Sequence, residues 1–497
     1  MFQKESSQPK DLEFSKLRAA LWPIHKSELK KFLPMAMIMF LVLFNYTLLR
    51  NVKDVLLVTA PSCGAEAIPF LKMFGGMPAA ILFFFIYLKL SNVLSRENLF
   101  YTCVTPFLVF FTVFTFIIYP NKELLHPTVE SVLQLQEACP HNKWFISLYG
   151  VWSFAVFYIL AELWGAIVLA LLFWQFANGI TRTREAKRFY PFFGLLANVS
   201  LIGVGFFIKW IAGEEWDSSL NYMMIAVAIS GIGILATYWW MNRYVLTNPL
   251  YYDAVESVGN KKKEDKPTLS IKESLGYLLS SKYLGFIALL VVCYGVSMNI
   301  IDVTWKSQIK EYYSSPKDYS AFMGSFSIWT GIGAMILLFS TKGIVRRFGW
   351  FTGAIITPLI LFSTSVFFFA FIIFKDNFDA EIAYFGVTSV YMAVMIGAAQ
   401  NILTKGTKYS LFDPTKEMSY IPLDQELKVK GKAAVDVIGG RLGKSGGGFV
   451  QVVLLTLTAG TQLSISPHLF GIIVVVCLAW AGATFGLSKL YEAKIKE

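Results

Sequence analysis

Charge is what this chain has least of. Asp, Glu, Lys and Arg together make up 15% of its 497 residues, where a soluble domain carries about a quarter. Histidine is rarer still: His25, His126, His141 and His468 stand at no ligand spacing, which excludes a histidine metal centre and leaves no paired catalytic set. Five cysteines show no metal-ligand pattern either, and nothing in the chain calls for a cofactor. Cys103, Cys293 and Cys477 fall in apolar runs as packing residues. Cys63 and Cys139 fall in loops on one side, which leaves a disulfide between them open. Polar stretches long enough to hold a catalytic domain are lacking, so an enzyme is not expected. The net charge of +11 is spread over short loops rather than one face, and does not read as nucleic-acid binding.

What fills the chain instead is apolar. It is 55% hydrophobic, with 44 Phe, and it breaks into twelve candidate spans of the roughly twenty residues that a bilayer requires. Among these are Phe145 to Trp174, Tyr283 to Ile300, Trp350 to Phe374, Ile382 to Leu403 and Ala433 to Thr458. Lys and Arg gather in alternate loops, around Lys89, Arg182, Lys261 and Arg346, while Glu214 and Asp376 lie in the others. By the positive-inside rule both termini are cytoplasmic. The sequence therefore predicts an all-α integral membrane protein of twelve transmembrane helices in two six-helix halves, residues 32–241 and 283–488. A cytoplasmic linker, 242–282, joins the halves, and residues 1–31 and 489–497 form cytoplasmic ends. The first apolar run has no small-residue cleavage pattern, so a cleavable leader is not expected. Two membrane halves fit a transporter, and no stretch resembles a carbonyl-lined filter.

Against this background a few charges stand out. Glu162 is the only charged residue between Phe145 and Trp174. A carboxylate at that depth costs about 2.5 kcal/mol or more, and persists where it lines a cavity or a relay. In LLRNVKD, Arg50, Lys53 and Asp54 follow the first span, and in NIIDVTWK, Asp302 and Lys306 stand in almost the same relation to the seventh. The eleventh segment carries Asp436, Arg441 and Lys444 among glycines that permit close helix approach or a break. For Arg50 and Lys72 the simpler reading is a side chain snorkelling to the headgroups. Read together, Lys53 and Lys444 with Arg50 or Arg441 make a cationic patch for a multiply charged anion. Glu162 and Asp302 balance it when empty, or bind a co-transported proton. Phe44, Tyr46, Trp164 and Trp305 either stack on a base or simply pack. The Gly443–Ser445 triplet is not a phosphate loop: Gly439 and Gly443 enclose three residues where that pattern needs four, so coupling to ATP hydrolysis is not supported.

Several long segments, in order along nearly the whole chain, carry a family resemblance. They include LWPIHKSELKKFLPM (Leu21 to Met35), NYTLLRNVKD (Asn45 to Asp54), FYILAELWG (Phe157 to Gly165), VTWKSQIKE (Val303 to Glu311), KYSLFDPTKEMSYIPLD (Lys408 to Asp424) and VKGKAAVDVIGGRLGKSGG (Val429 to Gly447). The chain resembles the nucleotide transporters, or ATP/ADP translocases, of obligate intracellular bacteria and plastids. That resemblance implies a major-facilitator-like fold in an inner membrane. It implies exchange of external ATP for internal ADP by alternating access, by a protein working as a monomer. The family's critical charges would fall on Lys53, Glu162, Asp302 and Lys444. Asp302 replaces the glutamate common in the family, and Asn51 follows Arg50 where an aspartate is common. These departures change reach and local charge. They keep open proton-coupled net import of ribonucleotides, including other nucleoside triphosphates, or transport of NAD.

Overall fold

The computed structural model describes residues 22–248, 251, 281–341, 343–424, 431–435 and 439–496. Every regular element among them is helical. Ten helices are long and apolar enough to cross a membrane: α1 (Lys26–Val58), α2 (Ala67–Val93), α3 (Arg96–Ile118), α4 (Trp152–Ile180), α5 (Arg184–Ile211), α6 (Trp216–Val245), α7 (Lys282–Tyr312), α8 (Pro316–Ser340), α9 (Ile344–Ile373) and α12 (Gln462–Ile495). Two more helices, α10 (Ser389–Thr407) and α11 (Gly440–Thr458), are more polar. Hydroxyls start several of them by accepting an otherwise orphaned backbone N–H. Ser95 caps α3 through Asn98 N at 3.2 Å, Ser315 caps α8 through Asp318 N at 3.0 Å, and Thr388 caps α10 through Tyr391 N at 3.2 Å. Just before α10, Asp379 Oδ1 accepts the Ser389 N–H at 2.7 Å. That bond holds its carboxyl below the usual carboxylate range.

Packing sorts the apolar faces. Leu82 and Phe85 of α2 are 62% and 63% exposed, a surface that suits lipid tails and not water. On the inner side, α1 packs along α4, α5 and α6, while α7 packs along α10, α11 and α12. The N-terminal helices α1–α6 meet the C-terminal helices α7–α12 mainly where α5 lies along α8. Two of these contacts are backbone on backbone. A Cβ on Gly205 would strike the carbonyl of Gly324, and one on Gly295 of α7 would strike the main chain of Gly443 on α11. Apolar attraction does not draw helices together in lipid, so such close dispersion contacts do it. Gly295→Leu is expected to lower the melting temperature of the detergent-purified protein, because overpacking costs about 1–3 kcal/mol. Gly471 on α12 faces open space, and Gly471→Ala should melt as the parent does.

Several boundaries differ from the sequence reading, and α7 runs on to Tyr312 where Ile300 was the expected end. The run from Phe145 divides into a short helix, Lys143–Gly150, and α4, which starts at Trp152. The tenth span, expected at Ile382 to Leu403, begins at Ser389 and continues through a π-helical turn, Lys408–Phe412, to Ser419. Hydropathy ended it too early, because Thr404 and Thr407 are buried inside the bundle, where some of the helix's polar groups find partners. Gln400 Nε2 donates to Ser365 Oγ at 2.7 Å, and Asn401 Nδ2 to Gly397 O at 3.0 Å. The expected start of the ninth span at Trp350 coincides with a break inside α9, where Gly349 has φ 85°. Only glycine adopts that conformation readily. All five cysteines are free, Cys63 buried and Cys139 exposed, so the open question of a disulfide between them resolves to none in this structure.

Candidate functional site

Helical spacing on α1 sets the centre of the molecule. Tyr46, Arg50, Lys53 and Asp54 recur every three or four residues, so they share one face. On α4, Tyr158 and Glu162 stand one turn apart, as do Asp302 and Lys306 on α7. The structure brings these faces together. Lys53 Nζ hydrogen-bonds Glu162, lies 3.7 Å from Asp54 Oδ1, and sits 3.8 Å over the Tyr158 ring. Lys306 Nζ is 2.9 Å from both Asp54 Oδ2 and Asp302 Oδ2. Asp54 is fully buried, Asp302 is 17% exposed and Glu162 is 44% exposed. A carboxylate that is deep among four helices and yet this accessible lines an internal cavity.

Three further cations surround the same groups. Arg50 lies near Asp302, Asp54 and Glu162. Lys72, on a π-helical stretch of α2 (Leu71–Gly76), lies near Glu162 and Asp302. Lys405 of α10 lies near Arg50, Asp302 and Asp54. None of the three forms a salt bridge with a described residue. Among the described residues, five basic side chains thus face three carboxylates at the centre. Buried charge without a partner is expensive, and a centre with more bases than carboxylates suits an anionic ligand.

The cavity is closed on one side. Lys310 Nζ donates to Cys63 O at 2.5 Å, Gln462 N to Glu66 Oε1 at 3.1 Å, and His141 Nδ1 is 2.8 Å from Thr456 O. Nearer the centre, Ser320 Oγ donates to Asn51 Oδ1 at 2.9 Å. Every side-chain hydrogen bond between described residues that joins α1–α6 to α7–α12 belongs to this side, away from the starts of α1 and α5.

Of the residues expected from sequence, Arg50, Lys53, Glu162 and Asp302 converge here. Asp436 lies outside the described residues. Arg441 and Lys444 lie on α11, next to the Gly295–Gly443 contact, and their side chains are not described. Asp54 and Lys306 were visible in the same sequence clusters but gain their importance only from pairing with each other. Lys72 read equally well as a headgroup anchor. Lys405 fell beyond the expected end of its span, and the polar triplet Asn401, Thr404 and Lys405 on one face was the signal for it. Two aromatic candidates simply pack: Trp164 Nε1 donates to Val42 O at 3.3 Å, and Trp305 Nε1 to Val394 O at 2.9 Å.

The fold is similar to that of several solved membrane transporters. A bacterial homologue of the iron transporter ferroportin, in an inward-facing state, superposes with a TM-score of 0.58 at 11% identity, over 96% of this chain and 100% of that one. A D-xylose-proton symporter gives 0.56 at 13% identity, over 92% and 98%. The helices define a multi-pass integral membrane protein with charged residues gathered at its centre, and the sequence places it more narrowly. The chain belongs to the TLC ATP/ADP transporter family, whose model matches residues 7–491. It is 48% identical to ADP,ATP carrier protein 1 of Chlamydia muridarum (strain MoPn / Nigg), over 98% of this chain and 93% of that one. It is 44% identical to the chloroplastic ADP,ATP carrier protein 2 of Arabidopsis thaliana, over 96% and 77%. The family consists of transporters and not of enzymes.

Proposed function

We propose that this protein exchanges external ATP for internal ADP across an inner membrane by alternating access around the charged centre. The single observation that carries the reading is the excess of basic side chains over carboxylates, among the described residues, in a cavity closed at one end. Relatives named as ADP,ATP carriers support the choice of substrate. In this reading the twelve helices cross the membrane in two six-helix halves, 32–241 and 283–488. The segments 1–31, 242–282 and 489–497 are cytoplasmic, and the protein is a monomer. The cavity then faces the cytoplasm. Lys53, Lys72 and Arg50 take the phosphates, Lys444 joins them from α11, with Arg441 and Asp436 close by in sequence. Glu162 and Asp302 hold the cations between substrates.

The relation of Glu162 to Lys53 suggests how exchange is enforced. An incoming phosphate takes Lys53 from Glu162, and the loaded centre is then better neutralised than the empty one. A difference of about 4 kcal/mol between loaded and empty barriers suppresses empty return roughly a thousandfold. Asp302, shorter than the family's glutamate, favours a second reading, proton-coupled net import of nucleotides or carriage of NAD. Uptake of radiolabelled ATP into vesicles holding the purified protein separates the two. Uptake only into ADP-loaded vesicles is the expected result. Comparable uptake into buffer-filled vesicles, raised by an inward proton gradient, would replace exchange with net import.

A further inference from the structure

The basic side chains of the centre come from different helices. Lys53 and Lys72 gather around Glu162 on the α1–α2–α4 side. Lys405 belongs to the other side: Arg50, Asp302, Lys306 and Asp54 are its charged neighbours, and Glu162 is not among its principal ones. Lys405 Nζ is buried and makes no hydrogen bond. Both carboxylates near it are already held by Lys306 at 2.9 Å. Its Nζ also lies 5.4 Å from the centroid of the Phe326 ring, a weak interaction. On the same face of α10, Asn401 Oδ1 and Thr404 Oγ1 are also buried without partners. A buried amine with no hydrogen bond to a described residue, beside unused polar atoms, is poised for a ligand.

Resting on the nucleotide-exchange reading, we infer that Lys405 is a substrate-binding residue that contacts the end of the phosphate chain far from Lys53 and so selects di- and triphosphates over monophosphates. A single phosphate satisfies the Lys53–Lys72 end alone. A polyphosphate spans the cavity, reaches Lys405 and links α1 and α4 to α10, which also draws together helices from the two parts of the molecule. Selectivity then comes from a contact with Lys405 that only the longer chain makes; a monophosphate leaves Lys405 as it is in the empty site and neither gains nor loses by it.

The test uses ADP-loaded vesicles of the full-length protein, with pyrophosphate and AMP as competitors of labelled ATP uptake. In Lys405→Met, KM for ATP should rise at least tenfold and inhibition by pyrophosphate should weaken in step. Inhibition by AMP should stay as in the parent, and Lys405→Arg should recover most of the loss. An unchanged ratio of pyrophosphate to AMP inhibition, with only the maximal rate reduced, would make Lys405 a counter-ion of Asp302 and overturn the inference. Lys405→Gln repeats the comparison if the methionine variant does not insert. Failure of the exchange reading itself looks different: the parent protein would then take up no ATP against internal ADP.

Discussion

Glu162→Gln should bind nucleotide about tenfold more tightly and exchange it at least a hundredfold more slowly. In the parent, Glu162 occupies Lys53, so each arriving phosphate has to displace a charged acceptor. A hydrogen bond to a charged group contributes about 1.5–3 kcal/mol. Weakening that competitor moves the balance toward bound nucleotide by roughly 1.4 kcal/mol, which is a factor of ten in affinity. The gain falls on the bound state and not on the barrier, so turnover suffers. Nucleotide leaves more slowly because nothing reclaims Lys53, and the centre passes through release with its cations uncompensated. Calorimetry on the purified protein gives the affinity, and vesicle exchange gives the rate. Glu162→Asp keeps the charge with less reach and should fall between the two. Binding and exchange lost together would instead place Glu162 in direct contact with nucleotide.

The membrane class was legible because apolar runs and loop charges are one-dimensional signals. The α1 face was legible for a similar reason: Arg50, Lys53 and Asp54 repeat at helical spacing, and the run into which Glu162 is set has no other charge. Pairing was not legible. Sequence offers Lys306 both Asp302, one turn away, and nothing to suggest Asp54 from another helix. Lys72 shows the limit most clearly, since a lysine near the start of an apolar run reads as an anchor until packing turns it toward Glu162. Lys405 was hidden by an average: the polar residues that lower hydropathy after Leu403 face the protein interior, where hydropathy with respect to lipid has no meaning.

Asp54 carries the other large effect. Among the described residues, Asp54–Lys306 is the one ion pair that joins α1–α6 to α7–α12, and both side chains are almost completely buried, at 0% and 2% exposure. It lies just inside the closed side, where Asn51 bonds Ser320 and Lys310 bonds the carbonyl of Cys63. Lys306 keeps Asp302 at 2.9 Å when Asp54 is replaced, so the loss is one charged hydrogen bond across the two parts, about 1.5–3 kcal/mol. That cost falls on the conformation in which the pair exists, so Asp54→Asn should shift the population toward opening on the Cys63 side by roughly tenfold to a hundredfold. Cys63 is 6% exposed and serves as the reporter once Cys139, which is exposed, is replaced by serine. Labelling of Cys63 by a membrane-impermeant maleimide should accelerate strongly in Asp54→Asn, while ATP/ADP exchange falls at least a hundredfold. Asp54→Asn combined with Lys306→Met also leaves Asp302 without its 2.9 Å partner, and should melt below Asp54→Asn alone without regaining exchange. If Asp54→Asn labels at the parent's rate and still exchanges, the closed side is held by its neutral hydrogen bonds and the ion pair has no part in alternation.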